Sequence, residues 1–141
     1  MKKFLQITLV VLILATVASI SCKSQNFIGM HKDEIIAEMK VSHKNFKLNT
    51  GVINPHYKYL KYEDKINEIT ILFFLSDVEK CTLIRKMCDY SNINDVLAEL
   101  NEKYNSEGNN KWSYKMDERI FDISMEEGEW FFTVTTQERR N

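Results

Sequence analysis

Three cysteines, Cys22, Cys81 and Cys88, carry most of the reactive potential of this sequence. A thiolate can attack a carbonyl, accept an acyl group, pair into a disulfide or ligate a metal. The imidazoles that could activate such a nucleophile, or share a metal with it, are His31, His43 and His56. None stands at metal-ligand spacing from a second histidine or from a cysteine. A Cys–His pair can assemble in space rather than in sequence, but no neighbouring residues support one. The four glycines are scattered, so no phosphate-cradling loop forms, and no Gly-x-Ser-x-Gly elbow occurs. The acid pairs Asp117-Glu118 and Glu126-Glu127 fall at expected turns, where solvation accounts for them. The chain therefore reads as non-enzymatic, with no catalytic residue, no metal site and no cofactor.

What Cys22 can do is set by the residues before it. Lys2 and Lys3 open the chain, Leu9 to Ala15 is apolar, and Ala18, Ser19 and Ser21 are small. That order marks residues 1–21 as a secretory signal peptide. The apolar run is shorter than the ~20 residues of a spanning helix. Ser19-Ile20-Ser21-Cys22 resembles the lipobox of bacterial lipoproteins, with Ser19 where that family usually has Leu. The resemblance implies that Cys22 becomes the first mature residue and the lipid attachment site, which makes the membrane a partner. Each buried methylene then contributes about 0.8 kcal/mol, and more than one acyl chain makes the anchor stable. Lys23 stands where an Asp often signals inner-membrane retention. By the same lipoprotein resemblance, the absence of that Asp implies an outer-membrane destination; the periplasmic side is the expected one. Residues 22–26 comprise this cysteine and a short tether; Lys23 to Asn26 span at most about 15 Å, which keeps the domain beside the bilayer.

Cys81 and Cys88 remain. The stretch "EKCTLIRKMC" predicts a strand, which separates the two by roughly 23 Å and places them on opposite faces. A disulfide needs Cα atoms within about 7 Å, so none is expected. Both thiols are expected to pack as small hydrophobes.

Elements must position whatever surface does the work. At 44% hydrophobic and 28% charged, the chain has a globular composition, and residues 27–141 read as one α+β domain. "MHKDEIIAEMK" predicts a short helix with Ile35, Ile36 and Met39 on one side. "SNINDVLAELNEKY" predicts a second, capped by Asn92, with Ile93, Val96, Leu97, Leu100 and Tyr104 as its stripe. Three strands are expected between the helices, in "YKYLKY", "INEITILFFL" and "EKCTLIRKM", with acidic turns at Glu63-Asp64 and Ser76-Asp77. Three more follow in "KWSYKM", "RIFDISM" and "EWFFTVTT", divided at Asp117-Glu118 and Glu127-Gly128. The order is α-β-β-β twice. Glu63 to Ile71 also parallels Asp117 to Met125 residue by residue, through either duplication or ordinary hairpin grammar. Both routes predict one antiparallel sheet of about six strands with two helices on one face. Leu72 to Leu75 is apolar on both faces, as a central strand should be. The pairs Phe73/Phe74 and Phe131/Phe132 place one ring on each face. The outward rings either meet loops or form an exposed aromatic patch for a partner.

Lys40, Lys44, Lys47, Lys58 and Lys61 occur with no acid between the first and the last. Phe46, Tyr57 and Tyr59 lie among them. Lys44, Phe46, Lys47, Tyr57, Lys58 and Tyr59 are thus candidate partner-binding residues, suited to an acidic protein or anionic headgroups. The alternative is a solvated linker leading into the first strand. The formal net charge of −1 argues against a nucleic-acid partner.

"FIGMHKDEIIAEM" resembles the opening of small outer-membrane lipoproteins of the SmpA/BamE group, with His31 in place of a capping Thr. The tandem α-βββ plan is similar to that of β-lactamase-inhibitor-like proteins. These resemblances imply a lipid-anchored envelope module that binds another macromolecule, an envelope protein. The alternatives are a periplasmic inhibitor or immunity lipoprotein against a hydrolase, and a carrier of an apolar small molecule.

Overall fold

Strand pairing, not helix packing, dominates this chain. The computed structural model describes residues 26–51, 56 and 58–140. The expected signal peptide, Cys22 and Tyr57 lie outside the described residues. Helix α1 spans Lys32–Ser42 and helix α2 spans Ile93–Lys103. The strands are β1 (Lys47–Leu48), β2 (Tyr59–Asp64), β3 (Ile69–Leu75), β4 (Cys81–Cys88), β5 (Asn105–Gly108), β6 (Lys111–Met116), β7 (Arg119–Glu127) and β8 (Phe132–Glu138). They form one antiparallel sheet in the order β1-β2-β3-β4-β8-β7-β6-β5.

The α+β class is as expected, but the sheet has eight strands rather than six. The two additional strands are the outermost ones. β1 has two residues, and β5 reads "NSEG", fully exposed and without an apolar side chain. Neither carries an alternating pattern; each exists because a neighbouring strand offers it a ladder. The plan is therefore α-β-β-β-β twice, with β4 and β8 joining the halves at the centre.

The residue-by-residue parallel between the halves does not survive in space. Asp64 pairs with Ile69, which leaves a four-residue turn, whereas Met116 pairs with Arg119 and leaves only Asp117-Glu118. Both of those residues have positive φ, as a tight two-residue hairpin requires. The acidic pair Glu63-Asp64 instead ends β2. Asp64 is buried and accepts the N–H groups of Ile66 and Asn67 and the Asn67 side-chain amide. Those bonds, the Asn67 amide foremost, hold its carboxyl below the ordinary range.

His31 caps α1. Its Nδ1 accepts the Asp33 N–H at 3.3 Å, while Glu34 accepts the His31 N–H at 2.7 Å. Asn92 does not cap α2 with its side chain, contrary to expectation. A 3₁₀ turn, Tyr90–Asn92, precedes the helix; Asp89 caps that turn, and Asn92 reaches across to the Asn67 carbonyl at 3.0 Å.

Both helices cover the same sheet face. Ile35 and Met39 of α1 pack with Phe27, Tyr62, Phe73, Cys81 and Phe121. Val96 and Leu100 of α2 pack with Cys88, Trp112, Ile123, Met125, Phe132 and Val134. Tyr114 touches both clusters and stacks on Phe121 at 4.9 Å. Cys81 and Cys88 were expected on opposite faces, yet both point toward the helices. The register between β3 and β4 shifts at Phe74/Leu75, so Leu75 pairs with Cys81. One extra residue in β4 reverses the alternation and turns Cys81 inward.

Candidate functional site

The thiols are packed away from reagents. Cys81 is 1% exposed and Cys88 fully buried, and both are free. Burial pushes the Cys81 thiol up to about 12 and raises that of Cys88 as well. Neither is a thiolate nucleophile near neutral pH. Alkylation by iodoacetamide at pH 8 should therefore be at least about a hundredfold slower in the native chain than in denaturant at both residues. Peptide mapping reads this directly, and native labelling at the denatured rate would show an open site. His31 serves the helix cap. His43 packs its ring near Phe27 and Phe46, at 5.8 and 6.3 Å. Among the described residues no group of three metal-ligating side chains assembles, and no helix is long and apolar enough to cross a membrane.

The basic segment splits between two surfaces. Lys44, Phe46 and Lys47 line a groove between α1 and the β1–β2 edge of the sheet. Lys58 and Tyr59 lie elsewhere: the Lys58 carbonyl accepts the Leu75 N–H at 2.8 Å, and the Tyr59 ring meets Phe74 at 5.9 Å on the opposite face. The basic and aromatic residues of this segment therefore do not form one surface. The space between α2 and the sheet, lined by Phe27, Ile84, Leu100 and Tyr104 among others, measures about 160 Å³. Small-molecule sites begin at about 300 Å³.

The second sheet face is the broadest candidate surface. Outward side chains align in cross-strand rows. One row runs Tyr59, Phe74, Leu83, Gln137 and Asp122, and the next runs Lys61, Leu72, Arg85, Thr135 and Ser124. A third runs Glu63, Thr70, Met87, Thr133 and Glu126. The β2–β4 half is mainly apolar, aromatic and basic, with Glu63 paired to Lys61, while the β8–β7 half is hydroxylic and acidic. Arg85 lies over the Phe74 ring at 5.7 Å. Loops were one expected cover for this face, yet no described element packs over it. Phe73 is buried and Phe74 faces outward, as the paired rings imply. Leu83, Arg85 and Met87 were not anticipated as site residues. Their signal was "TLIRKMC", whose apolar side chains recur on both faces.

One end of the sheet adds a cluster of tied loops. Tyr90 donates to the Gly128 carbonyl at 2.6 Å, Asp89 N–H to the Glu68 carbonyl at 3.3 Å, and Asn92 to Asn67. These bonds hold the β2–β3 turn, the 3₁₀ turn and the β7–β8 hairpin together. They present Ile66 at 88% exposure and Trp130 at 76%. Gly128 is required there, since a Cβ would meet the Phe131 carbonyl oxygen at 2.7 Å.

No protein-family model, curated protein or solved structure matches the chain.

Proposed function

We propose that the chain is a lipid-anchored, non-enzymatic envelope protein that binds another envelope protein through the β2–β4 part of its open sheet face. The observation that carries this reading is the row of Tyr59, Phe74 and Leu83 beside Leu72, Arg85 and Met87, uncovered by any described element. Aromatic, Met and Arg side chains are the types enriched where proteins bury surface against one another. A sheet holds them rigidly, so little conformational freedom is lost on docking. The lipid anchor rests on the lipobox resemblance of Ser19 to Cys22, and the outer-membrane location on Lys23 standing where that family's retention Asp would be.

A second reading, an inhibitor or immunity lipoprotein that blocks a hydrolase, is favoured by Ile66 and Trp130 on their hydrogen-bonded loops. Preorganised loops with apolar tips suit insertion into a cleft. Capture from envelope extract separates the two. The double substitution Phe74→Asp and Leu83→Asp should lower retention of the wild-type partner by at least about tenfold while far-UV circular dichroism stays unchanged. Retention lost only in Trp130→Ala would select the loop reading. Retention unchanged in both variants would remove the sheet face.

A further inference from the structure

We propose that the groove between α1 and the β1–β2 edge binds a single-chain anionic amphiphile, a free long-chain fatty-acid carboxylate. This proposal is independent of the sheet-face reading, because it uses the other side of the sheet. The groove encloses about 460 Å³, within the roughly 300–1,000 Å³ range of small-molecule sites. Its floor is Ile36, Met39, Phe46, Leu48 and Tyr62, which leaves mostly apolar surface open to solvent. Lys40, Lys44 and Lys47 also line it, and no acidic side chain does among the described residues.

That combination selects the ligand. Lys40 and Lys44 form no ion pair with a described residue, and the Lys47 ammonium donates only to the Lys44 carbonyl at 3.3 Å. Three exposed lysines beside one concavity make it electropositive, which favours an anion there. An apolar floor beside them rewards burial of a hydrocarbon chain. A small anion would leave the floor wet, and a neutral hydrocarbon would leave the ammonium groups without a partner. A carboxylate on a long chain satisfies both. None of the α1 acids Asp33, Glu34 and Glu38 lines the groove; Glu38 lies about half a turn from the Ile36–Lys40 side and binds Ser42.

Titration calorimetry of the full chain with monomeric dodecanoate tests the proposal. Saturable binding of one ligand per chain is expected. The triple substitution Lys40→Glu, Lys44→Glu, Lys47→Glu should weaken it by at least about tenfold, and dodecanol should bind the wild type at least about tenfold less tightly. Ile36→Trp, which fills the groove and leaves the lysines intact, should also lower affinity. Circular dichroism verifies that each variant is folded. Absent saturation, equal affinity for dodecanol, or unchanged affinity in both variants would overturn the proposal. So would sedimentation with phosphatidylglycerol vesicles by a chain that fails to bind monomeric dodecanoate, since the lysines would then serve a bilayer surface.

Discussion

Phe73→Ala lowers the free energy of unfolding by about 3–5 kcal/mol, the range for removing a fully buried aromatic side chain. Phe73 is 1% exposed at the centre of β3, with its ring 5.1 Å from Phe27 and 5.9 Å from Tyr62. Those neighbours belong to two different segments, the stretch before α1 and β2, so they cannot collapse together into the vacated space. The lost stabilisation combines the transfer term with the cavity that remains. Against a total of about 5–15 kcal/mol for a domain, the loss is severe, and it corresponds to a fall of roughly 10–20 °C in Tm. Urea and thermal unfolding measure it. A loss below about 1 kcal/mol would mean that Phe73 is not the keystone of the α1 cluster.

Trp112→Ala is expected to cost a similar 3–5 kcal/mol in the other half. Trp112 is 3% exposed on β6, and its indole N–H donates to Asn101 Oδ1 on α2 at 2.9 Å. Trp112→Phe retains most of the apolar contact and removes that bond, so it should cost only about 1–2 kcal/mol. The same variant provides an internal check. The sequence has two tryptophans, and Trp130 is 76% exposed. Fluorescence of Trp112→Phe should therefore move to longer wavelength and become open to iodide quenching. Both the Phe73 and Trp112 substitutions should shift one shared transition. Phe121 of β7 packs in the α1 cluster, Tyr114 touches both clusters, and β4 pairs with β8 along the seam. Separate transitions for the two variants would show that the halves fold independently.

The candidate surfaces differ in how far local pattern reveals them. The outward position of Phe74 follows from two adjacent phenylalanines in a strand, since successive side chains point to opposite faces. The groove does not follow from any such rule. Lys44 and Phe46 come from the segment after α1, Ile36 and Met39 from the helix, and Tyr62 from β2. Only packing of α1 on the sheet brings them together.

By itself, the amino-acid order determined the two helices, through the stripes at Ile35/Met39 and Val96/Leu100, and six of the eight strands, through alternation and turn residues. Those are local periodicities, and a periodicity specifies how an element buries one side whatever it packs against. The tertiary structure decided the rest. It recruited the pattern-free "NSEG" and Lys47–Leu48 as edge strands, because a ladder needs only backbone donors and acceptors. It turned Cys81 inward through a bulge that depends on the partner strand. It also divided the lysine-rich segment between two faces and left the Tyr59–Phe74–Leu83 row uncovered by any described element. Such outcomes depend on which segments meet, and that is a property of the assembled sheet rather than of any stretch within it.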